Sequence, residues 1–356
     1  MTIFKVVVYG FMKLYLILEK TVKSKILIQL CMIPVLLAML SPAYARVIKI
    51  ATISPDGTFW MQEMRAGAKE IKKQTQGRVV LKFYPGGVMG NDANVLRKIR
   101  IGQLQGGAVT AGSLSGIYPD IDIYGLPYLF SSYEQVDSVR SKMDKMLING
   151  LEKKGFVGFG LAEGGFTYMM SDSQLRTVED VKSKKVWIPS GNKVGEAVFG
   201  SASIAPVTLP LSDVLTGLQT GLINTVIISP IGAIALQWHT RVKYMVDDPL
   251  TYVSALLVID KKIFNKIKKK DREIVREIMS KAFDRIDHQN RKDNIAARDA
   301  LKKQGIEFIS LSKDVLNDWR TIAKKAIKVL EEKNRYSDDA YNQIMKNIKI
   351  AGSAHP

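Results

Sequence analysis

From residue 47 onward the chain repeats one rhythm: a short apolar run, a glycine- or proline-marked turn, a capped helical stretch, and another apolar run. Residues 47–53 (VIKIATI) alternate as a strand does. Ser54-Pro55-Asp56-Gly57 turns the chain, and Thr58 caps a predicted helix that runs to about Thr75, where Gln76-Gly77 stops it. Val79–Tyr84 (VVLKFY) reads as the next strand. Pro85-Gly86-Gly87 turns again, and Asn91 caps a helix over 92–101, ended by Gly102. Such an order builds βαβ units on a largely parallel sheet, because parallel neighbours need a helical crossover.

The middle of the chain continues in the same manner. Residues 106–111 read as a small-residue strand entering the Gly/Ser loop 112–116, 133–150 as a helix, and 156–162 as a strand. A short strand at 185–188, closed by Pro189, precedes helices starting at Val194 and Leu211, the second stopped by Gly221. Residues 224–228 and 256–259 read as buried strands. Apolar residues at three- and four-residue spacing predict helices over 271–290 and 294–304. Gly305 breaks the chain, 306–309 reads as a late strand, and Ser312 caps what reads as the final helix, to about Lys333. Internal repeats are absent, and no single Pro/Gly-rich linker divides the sequence. Two lobes joined by several chain crossings suit this better than two beads in a row.

Ahead of this region, Lys20, Lys23 and Lys25 precede an uncharged apolar run over 26–40, then Ala43-Tyr44-Ala45 and Arg46. That is the basic, apolar and A-x-A order of a secretory signal, and the run is shorter than the ~20 residues of a membrane span. Cleavage after Ala45 and export to the periplasm are expected. The apolar stretch 6–18, broken by Lys13, is no part of such a signal, and Met12 offers an alternative start. The single cysteine, Cys31, lies within the signal behind Leu30, which disfavours lipid attachment. The mature chain then has no disulfide, thiolate nucleophile or Cys-held metal. His239, His288 and His355 are far apart and form no HExxH pair. Gly86-Gly87-Val88-Met89-Gly90 lacks the Lys-Ser/Thr of a phosphate loop, and there is no GxSxG elbow. The expectation is a non-enzymatic protein without a cofactor or metal. Of the net charge of +18, the leader's five lysines and one glutamate account for +4. The remainder is spread over helix faces, so no nucleic-acid partner is expected.

Four segments carry a family likeness. They are Tyr84-Pro85-Gly86-Gly87-Val88-Met89-Gly90; Tyr118-Pro119-Asp120 with Gly125-Leu126-Pro127-Tyr128-Leu129-Phe130; Lys185-Val186-Trp187-Ile188-Pro189; and the stretch from Leu209 that ends Leu218-Gln219-Thr220-Gly221. In this order, behind a secretory signal, the chain resembles the solute receptors of TRAP transporters, the DctP-type periplasmic binding proteins. The resemblance implies an α/β, two-lobed periplasmic binding protein fold, with mixed sheets, a cleft between the lobes and a long C-terminal helical brace. Lobe I is expected over 46–166 plus about 249–282, and lobe II over about 167–248 plus 283–350. It also implies a monomer that closes on one small molecule and delivers it to the membrane subunits of an ion-driven permease. A periplasmic helical-repeat protein is an alternative recipient.

The resemblance also locates a site and a departure from pattern. Most receptors of this family bind organic acids, through an arginine on a K-I-R-V-P strand; that position is Trp187 here. A second arginine, common in some relatives just after the lobe-crossing strand, is matched here by Thr167. Tryptophan offers one N–H and an apolar face but no charge, and desolvating a carboxylate without a charged partner costs several kcal/mol. The expected cleft is therefore aromatic and neutral: Trp187, Phe59, Trp60, Phe166, Tyr168, Ile228 and Trp238, with Thr110, Ser113, Thr167 and Ser229 as hydrogen-bonding groups. The expected ligand is hydrophobic, aromatic or weakly charged, including an amine held by cation–π contact. A carboxylate ligand gripped by another arginine, such as Arg97, Arg176 or Arg241, is the alternative.

Overall fold

The computed structural model describes residues 45–353, so the predicted signal segment lies outside the described residues. Strand β1 (Arg46–Thr52) lies between parallel neighbours β2 (Val79–Tyr84) and β3 (Gly106–Thr110). Each is reached through a helix, Phe59–Gln74 and Asp92–Arg100. The caps are those the sequence predicts: Thr58 Oγ1 accepts from the Met61 N–H at 3.4 Å, and Asn91 Oδ1 from the Asn94 N–H at 2.9 Å. Each satisfies a backbone donor that the first helical turn leaves free.

Further along, the strands are β4 (Phe156–Gly158), β5 (Ala162–Ser171), β6 (Trp187–Pro189), β7 (Val207–Leu209), β8 (Thr225–Ile228), β9 (Tyr244–Val246), β10 (Thr251–Asp260) and β11 (Glu307–Ile309). Two of them, β5 and β10, are ten residues long and antiparallel. The second half of β10 pairs with β3 and β4, and its first half pairs with the start of β5. The end of β5 then leaves β10 to pair with β8 and β9, and β9 carries β11 in parallel. One mixed ribbon thus runs through two lobes. Beside it, β6 and β7 form a parallel pair.

The sequence reading differs from this in five places. The strand predicted over 156–162 is split, because Gly160 takes φ +146° and separates β4 from β5. Residues 256–259 are only the end of β10. The Gly/Ser loop begins as a helical turn, Ala111–Leu114. The two helices predicted over 271–304 are one 35-residue helix, Lys269–Lys303, since Arg291-Lys292-Asp293 contains no breaker. Nor is the helix capped by Ser312 (Lys313–Glu332) the last one. Asp338–Ser353 follows and packs on the helix Tyr133–Lys153. Its start is pinned where Ser337 N–H and Oγ–H both donate to Asp120, each at 2.7 Å.

The long helix braces the crossing strand. The register of β5 against β10 shifts so that Gly165 faces Val253 and Glu163 faces Ser254, leaving Gly164 as a bulge residue. Buried Asn290 donates to Glu163 O at 2.7 Å, and buried Asn294 donates to Gly164 O at 3.2 Å. Asn294 Oδ1 also accepts from Ile231 N–H at 3.3 Å, in the helix Pro230–Ala235 that follows β8. Gly165 has φ +94°, and a Cβ there would lie 2.5 Å from Asn294 Nδ2. Gly165→Ala is expected to destabilise the protein by about 1–3 kcal/mol through backbone strain and displacement of Asn294; a urea titration with unchanged midpoint would refute this.

An ion network secures the other end of the same turn. Arg140 donates to Asp144 at 3.0 Å, to Asp287 at 2.8 Å and to Leu161 O at 2.7 Å. Fully buried Glu163 accepts from Arg291 at 2.7 Å and from Tyr252 OH at 3.2 Å. Burial pushes the Glu163 carboxyl up, against the opposing pull of Arg291. Removing one member of such a set strands the others, so Arg140→Ala is expected to cost about 3–5 kcal/mol, read as a lowered thermal midpoint.

Candidate ligand-binding cleft

Where β5 and β10 cross between lobes, a cavity of about 110 Å³ opens. Thr167 and Thr251, facing each other across the β5–β10 pair, form one wall, their hydroxyls 2.7 Å apart. The strand β6 forms another, with Trp187, Ile188 and Pro189. The helix Lys193–Ser201 contributes Val194, Gly195, Val198 and Phe199, and its cap Asn192 stands at the rim with Oδ1 accepting from Gly195 N–H at 2.8 Å. Ile227, Leu250 and Val253 add apolar surface, and Asp122 and Gly125 come from the 3-10 turn Pro119–Gly125.

Trp187 and Thr167, the positions where the family pattern has arginines, thus border one cavity. The Trp187 ring is 1% exposed and packs edge-on against Trp238, centroids 5.1 Å apart at 84°. Its N–H donates to Leu209 O at 3.0 Å. That satisfies the one polar atom of the indole and holds its position, leaving it no donor for a guest. Trp238 therefore backs the cavity instead of lining it.

The rest of the predicted set is elsewhere. Side chains alternate along a strand, so Phe166 and Tyr168 point away from the face that bears Thr167. Phe166 packs on Tyr133 and Tyr252, at 4.9 and 5.6 Å, and Tyr168 lies beneath the Arg298 guanidinium at 4.9 Å. Trp60 meets Phe283 edge-on at 5.5 Å, and with Phe59 it joins the core beside the long helix. Thr110 donates from N–H and Oγ to Asp92, and Ser113 donates to Thr110 O, both near the surface. Ile228 and Ser229 sit against Gly232 at the start of the helix Pro230–Ala235. Arg97 donates to Asn94, and Arg176 to Gln174, away from the cavity.

Asp122 is the residue that sequence reasoning missed. Its only signal was two aspartates in Asp120-Ile121-Asp122, ahead of the Gly-Leu-Pro motif. Asp120 is spent on Ser337, whereas among the described residues no hydrogen-bond donor reaches Asp122. Burial pushes its carboxyl up to about 7, against a smaller pull downward from Arg335. No lysine, arginine or histidine is among the cavity's described lining residues.

The architecture and the cleft define a two-lobed solute receptor. The sequence profile of the family described as bacterial extracellular solute-binding protein, family 7 (DctP) matches residues 50–334, and the chain belongs to that family. It is 26% identical over 300 residues to the C4-dicarboxylate-binding periplasmic protein DctP of Rhodobacter capsulatus, covering 80% of this chain and 87% of that protein. It is 23% identical over 246 residues to the 2,3-diketo-L-gulonate-binding periplasmic protein YiaO of Escherichia coli, covering 67% and 74%. Among solved structures it resembles a TRAP periplasmic solute-binding protein of Haemophilus influenzae with bound L-gulonate: TM-score 0.78, 22% identity, 86% of this chain and 99% of that one. The Bordetella pertussis receptor DctP7, binding pyroglutamic acid, gives TM-score 0.78 at 20% identity, covering 86% and 100%.

A carboxyl raised in the folded state destabilises the fold as it ionises. Its stabilising, protonated form is fully present below the ordinary pKa of about 3.9 and is lost as pH rises through about 7. Asp122→Asn never ionises. It is expected to gain stability over the parent protein progressively from pH 4 to about 7.5, reaching on the order of 1–2 kcal/mol for this half-buried group. Parallel pH–stability curves for the two proteins would refute this.

Proposed function

We propose that this TRAP-type receptor captures a small hydrophobic, aromatic or weakly charged solute by lobe closure in the periplasm, and delivers it as a monomer to a membrane permease. One observation carries the reading: the cavity between the lobes is bordered by Trp187 and Thr167, and its described lining offers no cationic side chain. The relatives named above bind acids, and an acid entering this cavity would lose water without gaining a counter-charge. Closure around a guest shifts a population between open and closed forms, and only differential contact in the closed form drives it. Delivery to a permease is favoured where genes for small and large membrane subunits adjoin; a helical-repeat gene in their place would favour a hand-off protein.

A second reading rests on Arg335. Its Nε is buried without a hydrogen-bond partner, and it acts electrostatically on Asp122. If it swings inward on closure, it becomes a non-standard clamp for a carboxylate.

The two readings separate in a thermal-shift screen of succinate and L-gulonate against short branched-chain alcohols, single-ring aromatics and small amines, with mass spectrometry of solute extracted from protein purified without additions. The neutral-site reading expects shifts above about 2 °C from the second group and none from the first. Stabilisation by the two acids alone, with an acid in the extract, would overturn it.

A further inference from the structure

We propose that Asp122 is the specificity-determining group of the cleft, and that it selects a ligand carrying a protonated nitrogen on a compact apolar body. The inference rests on the neutral-site reading above and sharpens it.

The geometry is that of a carboxylate left available. Asp122 stands at the cavity wall on the 3-10 turn Pro119–Gly125. Gly112 and Gly125 flank it: a Cβ at either position would approach Oδ1 to 3.4 or 3.1 Å. Larger residues there would crowd the carboxylate. Among the described residues no donor bonds to this half-buried carboxylate. The lining also includes Ile188, Val198 and Phe199, which provide no charge.

The charged and titratable groups acting on Asp122 are Arg335 and Tyr336, both in the segment between the helices Lys313–Glu332 and Asp338–Ser353. Burial outweighs the pull of Arg335 on the Asp122 carboxyl. Among the described residues Arg335 makes no hydrogen bond to Asp122, so a guest with an N–H⁺ group can pair directly with the ionised carboxylate. Charge-assisted hydrogen bonds of this kind are about twice as strong as neutral ones. Cavity size limits the rest of the ligand: in another protein a dry cavity of ~150 Å³ takes up benzene, so about 110 Å³ admits nothing larger than a single ring or a short branched chain.

The test uses three probes with one branched carbon skeleton: isopentylamine, isopentanol and isovalerate. Calorimetric affinities are measured on the full mature chain at pH 6 and pH 8, for the parent protein, Asp122→Asn and Arg335→Gln. The amine is expected to bind at least 10-fold more tightly than isovalerate at pH 8 and to weaken toward pH 6 as Asp122 takes up a proton. Asp122→Asn is expected to bring the amine down to the affinity of isopentanol, whose own binding stays the same. Arg335→Gln is expected to leave the amine's advantage intact or to enlarge it.

If isopentanol binds and the amine has no advantage, or if Asp122→Asn leaves that advantage unchanged, the role of Asp122 is overturned while the neutral-site reading stands. If isovalerate binds most tightly and Arg335→Gln abolishes it, both are overturned in favour of the arginine clamp. Failure of all three probes to bind overturns the cavity as the ligand site, and this assignment with it. A purely structural pairing of Asp122 with Arg335 predicts equal stability losses in the two variants and no change in probe preference, which also overturns it.

Discussion

The pairing of β5 with β10 is the constraint on which the rest of the receptor depends. β5 pairs with β10 over its first half and with β8 and β9 over its second, so the point where it leaves β10 joins the two parts of the sheet. The Gly164 bulge bends the ribbon ahead of that point, and a bulge leaves one residue without a ladder partner. The long helix supplies the missing partner through Asn290 and Asn294. One element therefore both closes the hydrogen-bond account of the bend and joins it, through Ile231, to the lobe beyond.

The same bend brings Glu163 into the interior, where a lone carboxylate is costly. Arg291 and Tyr252 offset that cost, and Arg291 also reaches Asp137 at 2.7 Å. Such a set adds little net stability over a well-packed apolar core, but it cannot lose one member cheaply. Its role is better read as positional: it fixes the start of β5 against two helices, so that Thr167, four residues on, lies at the cavity wall.

Where local chemistry decides structure, the sequence was readable. Thr58, Asn91 and Ser312 announce helix starts because each can bond the orphan N–H groups of a first turn. β1 and β2 announce themselves by their apolar pattern. β5 does not: the strand read from the sequence stops at Ala162, since the glycines and the buried charge that follow are justified only by a bulge and a network made by distant residues. The long helix looked divided because Arg291-Lys292-Asp293 carries no apolar residue; Arg291 is directed instead at Glu163. In the cleft, the family pattern led to Trp187 and Thr167. The sequence offers the other aromatics as ligand contacts too, whereas strand alternation and the demand for large apolar volume put Phe166 and Trp60 into packing and turn Tyr168 toward Arg298. Asp122 was illegible for the opposite reason. An aspartate in a polar turn reads as solvated, and only the fold places it beside a cavity.

The cavity's size explains why one carboxylate matters so much. A guest the size of an aromatic ring buries roughly 150 Å² of apolar surface, worth ~4 kcal/mol at 25 cal/mol per Å². That corresponds to a dissociation constant of about 1 mM, before any cost of closing the lobes. Receptors of acids add a bidentate guanidinium contact to such a term. Here Trp187 has already committed its N–H to Leu209, and the Thr167 and Thr251 hydroxyls are committed to each other. Among the described lining residues the Asn192 amide, whose oxygen alone is used by its cap, the remaining lone pairs of the two threonine hydroxyls and the Asp122 carboxylate retain capacity. Of these, only Asp122 carries a charge that closure would leave exposed to an apolar wall. A guest that neutralises it gains in the closed form what it lacks in the open one, and that difference is the condition for a receptor to close on its ligand and not on water.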